Sequence, residues 1–139
     1  MDSTAAKTEE FVRKIHTAAR KRDSAALDEL IADEIVFYTP RFFKPLTDRR
    51  YILIVLQGIY QFFEELEFYR TFIKENEAVI EYKARIGALI IHGVDIFTID
   101  EAGKAKELTV MLRPTKALTA LGEIEDKFVR EHLAKIQGS

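Results

Sequence analysis

Residues 89–113, LIIHGVDIFTIDEAGKAKELTVMLR, decide the fold of this chain. Two β-branched and aromatic runs, 89–99 and 105–113, flank Asp100-Glu101-Ala102-Gly103, a turn-forming cluster. A connection this short joins antiparallel strands and leaves no room for a crossover helix. Alternation puts Ile91, Phe97 and Ile99 on one face and Ile90, Val94 and Ile96 on the other. Both faces are apolar, whereas an antiparallel sheet covered only by its own helices shows one polar face. A second layer or a partner subunit must cover the outer side, and a homodimer through the sheet is the economical expectation.

Runs 66–74 and 78–86 have the same strand character, and breaks fall at Lys74-Glu75-Asn76-Glu77 and at Gly87. Upstream, Phe11, Ile15, Ala18 and Ala19 share a stripe in 8–22, predicting an amphipathic helix. Asp23 or Ser24 caps a short helix bearing Leu27, Leu30 and Ile31, and Glu34–Thr39 reads as a strand stopped by Pro40. Thr47 or Asp48 caps a third helix, with Ile52, Val55, Leu56, Ile59, Phe62 and Phe63 at helical spacing. Arg113-Pro114 ends the last strand, and a final helix covers about 115–136. Helices segregated from a strand meander define an α+β domain with helices on one face of a curved, mostly antiparallel sheet.

The chain's 139 residues make one domain, with loose ends expected at about 1–7 and 137–139. With 21 Lys and Arg against 23 Asp and Glu, the net charge of −2 points away from nucleic-acid binding. The absence of cysteine excludes thiolate zinc sites, disulfides and cysteine nucleophiles. Three scattered histidines form no recognisable metal site, and no phosphate loop or hydrolase elbow is present, so no cofactor is expected. No apolar run approaches the roughly 20 residues that span a bilayer, and a cytoplasmic protein is expected. Arg20-Lys21-Arg22 and Arg49-Arg50 read as short solvated cationic runs.

The segments Arg22-Asp23, Leu30–Pro40, Gly93–Lys104 and Glu107–Pro114 together resemble the nuclear-transport-factor-2-like superfamily, in its SnoaL-like branch. The resemblance covers about residues 8–125. It implies a cystatin-like cone, usually dimeric, whose helices pack on the concave side of the sheet around a pocket. The superfamily includes ketosteroid isomerases, cyclases, dehydratases and binders without activity, so function has to come from the pocket. Against ketosteroid isomerases, the oxyanion-binding Asp falls on Asp95. The base falls on Thr39, the oxyanion Tyr on Ile15 and a supporting Tyr near Leu56, and none of these three retains the required side chain.

A hairpin of ordinary register sets Asp95 across from Leu108 and places Asp95, Phe97, Leu108, Val110 and Leu112 on one face. The resemblance makes this the pocket face. Ile80, Tyr82, Ala84 and Ile86 join it from the preceding strand, Leu56 from the third helix, and Tyr38 at the mouth. A carboxyl desolvated among such neighbours has a raised pKa; neutral, it donates to an oxyanion, and ionised, it takes a proton. The expected ligand is a small hydrophobic molecule, held either by a dimer without activity or by a cofactor-free isomerase, cyclase or dehydratase that uses Asp95. The competing expectation is a dimeric interaction module with a filled cavity, in which Asp95 only accepts a hydrogen bond from Tyr82 or Tyr38. His92 falls on the face opposite Asp95, with Arg113, and is expected at an interface; His16 and His132 are expected to be surface or packing residues.

Overall fold

The computed structural model describes residues 3–137, with side chains to residue 134. The elements run α1 (Ser3–Lys21), α2 (Ser24–Leu30), β1 (Ile31–Tyr38), α3 (Arg49–Phe62), β2 (Glu64–Lys74), β3 (Glu77–Ile86), β4 (Leu89–Ile99), β5 (Ala105–Arg113) and α4 (Thr115–Gln137). One curled sheet has the order β1-β5-β4-β3-β2, antiparallel except where β1 lies parallel to β5. The helices cover one face, so the α+β class and the cystatin-like architecture both hold. Among the described residues, no helix is long and apolar enough to cross a membrane.

Capping follows from the side chains present. Asp23 accepts from the Ala26 amide to start α2, and Asp48 accepts from the Arg50 and Tyr51 amides to start α3. Ile31 ends α2 in extended geometry and opens β1, so it belongs to the strand and not to the helix. The chain start also differs from expectation, since residues 3–7 are the first turns of α1. Buried Thr8 donates to Thr4 O at 3.0 Å or Glu75 O at 2.7 Å, tying this end of α1 to the β2–β3 turn. Of the tail expected to be loose, 138–139 lie outside the described residues, as do 1–2, and Gln137 ends α4.

Two cations read as solvated prove to be tethers. Arg49 Nη2 donates to Asp28 Oδ1 at 2.7 Å and to the carbonyl oxygens of Asp28 and Ile31, holding α3 against the α2–β1 junction. Arg22 Nη2 reaches Phe63 O at 3.0 Å, joining the end of α1 to the end of α3.

The β4–β5 register is displaced by two residues from the expectation. Asp95 faces Val110, and Leu108 faces Phe97. Residues 100–104 all lie in the connection, where Asp100 Oδ1 accepts from the Ala102 and Lys104 amides, and the ladder slips once more between Thr98 and Ile99. A shift of two preserves the faces, because side chains alternate with period two. The inner face therefore still carries Asp95, Phe97, Leu108, Val110 and Leu112.

The outer face is apolar and open. Phe72, Ile90 and Met111 are 62%, 64% and 56% exposed, and Val94 and Ile96 lie between them. A line of polar side chains crosses the same face: Arg70 to Glu81, Glu81 to His92 at 2.7 Å, and His92 to Arg113 at 3.2 Å. Arginine only donates, so His92 Nδ1 accepts and Nε2 carries the proton it gives to Glu81. Together Arg70 and His92 hold the Glu81 carboxyl down at about 2.

Candidate functional site

Between the sheet and the helices lies an apolar cavity with Asp95 in its wall. The sheet contributes Tyr82, Asp95, Leu108, Val110 and Leu112; α3 contributes Leu56, Ile59 and Tyr60; α4 contributes Leu121 and Glu125. Phe37, Pro40, Phe63, Leu66 and Phe68 close the sides. The side chains meet closely, leaving about 20 Å³ of free space, enough for one water.

Gly93 shapes the floor. It pairs with Tyr82 across β3–β4 and with Leu112 across β4–β5, and both large side chains lean over it. A Cβ there would lie 2.5 Å from Leu112 Cδ2, 2.7 Å from the Tyr82 hydroxyl and 2.9 Å from Met111 O.

Four residues with ionisable side chains line this cavity: Asp95, Glu125, Tyr60 and Tyr82. Among the described residues, no protein group hydrogen-bonds to Asp95, Tyr60 or Tyr82. His16 Nε2 is the only fully buried side-chain polar atom without a partner among those residues, so these groups still reach open space. Asp95 does not accept a bond from Tyr82 or Tyr38, contrary to the purely structural role considered above.

Burial moves the titrations. It pushes the Asp95 carboxyl up to about 7, because ionisation in an apolar wall forfeits hydration. Burial likewise lifts Glu125 to about 6, with the charge and hydrogen bond of Arg41 opposing the rise. Tyr60 and Tyr82 are both raised, first by burial and then by the charge of Asp95, so their hydroxyls stay protonated. The site thus holds two protonated phenols and two carboxyls whose acidity burial has weakened.

Of the residues expected here, Asp95, Leu56, Tyr82, Leu108, Val110 and Leu112 line the cavity, and Tyr38, Ile86 and Phe97 do not. On β1 the inward residue is Phe37, fully buried, while its neighbour Tyr38 points outward and is exposed. Phe97 is consumed by the core, its ring 4.9 Å from that of Phe11. Ile86, at the end of β3, packs in the core, and Ile80 and Ala84 are buried on the inner face without reaching the cavity. Thr39 uses its hydroxyl to accept from the Arg41 amide at 3.2 Å, and like Ile15 it is no part of the wall.

Tyr60 and Glu125 escape a reading from alternation, and each carries a signal. Tyr60 lies four residues after Leu56, on the same side of α3. Glu125 interrupts the stripe Ala117, Leu121, Glu125, Val129, every member of which is buried. An acid on an apolar stripe is the mark of a group held for a reason other than packing. His16 and His132 are packing residues: His16 stacks on Phe68 at 4.0 Å, and His132 on Phe128 at 3.8 Å.

No family model matches the chain, and no curated protein matches it significantly. Solved structures do. A steroid delta-isomerase from Pseudomonas aeruginosa is 27% identical, with a TM-score of 0.85 over 93% of this chain and 96% of that one. An uncharacterised protein with a cystatin-like fold from Silicibacter pomeroyi is 26% identical, with a TM-score of 0.78 over 84% of this chain and 83% of that one. A nuclear-transport-factor-2-like protein of unknown function from Mesorhizobium loti, 20% identical, gives 0.73 over 82% and 97%. These neighbours agree with the nuclear-transport-factor-2-like resemblance seen in the sequence.

Proposed function

From a nuclear-transport-factor-2-like fold with a carboxyl facing an apolar cavity, we propose that this chain binds a small hydrophobic carbonyl compound at Asp95 and acts on it as a cofactor-free isomerase. The observation that carries this reading is the convergence of Asp95, Tyr60 and Tyr82 on the cavity without protein partners. Buried polar groups are normally hydrogen-bonded, and a group left without a protein partner beside a cavity is available to a guest. Protonated Asp95 and the two phenols donate to a carbonyl oxygen, and donation strengthens as that oxygen gains charge. Ionised Asp95 is instead a base, and a pKa near operating pH makes both states accessible. The similarity to a steroid delta-isomerase supports this reaction class. With Thr39 where the ketosteroid isomerases hold their base, proton transfer here falls to Asp95 or another cavity group.

A guest larger than water has to displace side chains such as Phe68 and Leu112, given the 20 Å³ of free space. That tightness favours a second reading, a dimeric interaction module whose cavity its own side chains fill. Pairing of two copies through the open sheet face belongs to both readings, supported by the exposed Phe72, Ile90 and Met111.

The deciding experiment incubates the protein with a β,γ-unsaturated ketone and follows the conjugated product by ultraviolet absorbance, with binding followed by NMR. Asp95→Asn should abolish turnover and weaken binding. Unchanged binding and turnover in Asp95→Asn would remove Asp95 from the site, and absence of binding by wild type would leave the interaction module.

A further inference from the structure

Glu125 enters the cavity from α4, opposite the sheet that carries Asp95, and is 6% exposed. Its two oxygens are used differently. Oε2 accepts from Arg41 Nη1 at 3.2 Å, while Oε1 has no partner among the described residues. Oε1 is nevertheless not sealed off, since His16 Nε2 is the only fully buried side-chain polar atom there without a partner. The carboxylate is therefore held by one oxygen and presents the other.

Arg41 is itself firmly placed. It forks onto Asp126 through Nη1 at 2.9 Å and Nη2 at 3.1 Å, and its guanidinium lies over Gly122, where a Cβ would sit 2.8 Å from Nε. Asp126 satisfies the Arg41 charge from a half-exposed position. Burying a second carboxylate is thus not needed to neutralise Arg41, and an apolar side chain would suit this stripe better.

We propose that Glu125 is a second ligand-contacting group, whose Oε1 accepts a hydrogen bond from a donor on the molecule whose carbonyl oxygen lies at Asp95. The ligand class is accordingly a small apolar ketone with a hydroxyl or amino group directed toward α4. Arg41 is the positioning residue that fixes which oxygen faces the guest. This inference rests on the Asp95 pocket being a ligand site.

The test compares acetophenone, an acceptor only, with 4-hydroxyacetophenone, an acceptor and donor, by NMR titration of the full chain. Wild type should bind the hydroxyketone about tenfold more tightly, the usual scale for a hydrogen bond to a charged group. Glu125→Met should bring that ratio to about one, and Arg41→Met should lower it. Asp95→Asn should weaken both ketones alike and keep the ratio. Should Glu125→Met fail to fold, the ¹³C shift of the Glu125 carboxyl decides: movement with 4-hydroxyacetophenone but not acetophenone supports the contact, and no movement overturns it. A ratio that persists in Glu125→Met, or equal binding of the two ketones by wild type, overturns the inference and leaves the Asp95 reading standing. Failure of wild type to bind either ketone overturns both.

Discussion

Gly93 and Tyr82 face each other across β3 and β4, and the missing side chain of one is the space occupied by the hydroxyl end of the other. Without that gap Tyr82 could not lie over the sheet and bring its hydroxyl into the cavity beside Asp95.

Gly93→Ala should therefore damage both stability and site. The new Cβ meets the Tyr82 hydroxyl, Leu112 and the Met111 carbonyl at under 3.0 Å, and a backbone atom cannot swing aside. A cost of about 1–3 kcal/mol is expected from overpacking, measured by urea unfolding. Adding Tyr82→Phe should recover part of it. Full stability in Gly93→Ala would contradict this packing.

Asp95 should make the protein less stable in alkali than its neutral counterpart. Its folded pKa of about 7 lies above the ordinary Asp value, so the folded state binds more protons than the unfolded between the two. Its contribution is full below about pH 4 and is lost as pH rises through 7. Asp95→Asn should match wild type near pH 4 and exceed it at pH 8 by about 4 kcal/mol, from the size of the shift. Parallel stability curves for the two proteins would refute the raised pKa.

Arg41→Met should destabilise the packing of α4, and more so at high pH. The substitution leaves the Glu125 carboxylate buried without its cation, and breaking such a pair costs about 3 kcal/mol. Glu125 already titrates near 6, and losing Arg41 raises it further, so at pH 5 the carboxyl is neutral and the loss shrinks. Thermal melts of both proteins at pH 5 and pH 8 check the sign.

The outer sheet face should hold a second copy. Wild type is expected to sediment as a dimer, and Phe72→Glu or Met111→Glu, each placing a charge in the exposed apolar patch, should give a folded monomer. A wild type that is monomeric at high concentration would leave this patch to another partner.

Element types and order were legible because strand alternation and helical stripes are local and repeated. The inner face was legible for a related reason: a register error of two residues, from the longer connection and the slip at Thr98/Ile99, leaves every side chain on its side. Tyr38 was misplaced because β1 begins at Ile31 and its inward phase falls on Phe37, a phase fixed by parallel pairing with a strand some 70 residues away. Phe97 shares the face of Asp95 but lies under α1, so a face alone does not separate cavity from core. Glu125 required knowing that α4 folds back over the sheet, which no short window contains, although its place on an apolar stripe was there to be noticed.

The position of α4 over the sheet also ties packing to acidity. It lays Leu121 and Glu125 over the cavity that holds Asp95, whose burial pushes its carboxyl up to about 7. Closing the cavity and protonating its central group are thus one coupled event, and buffer acidity biases how firmly the last helix stays down.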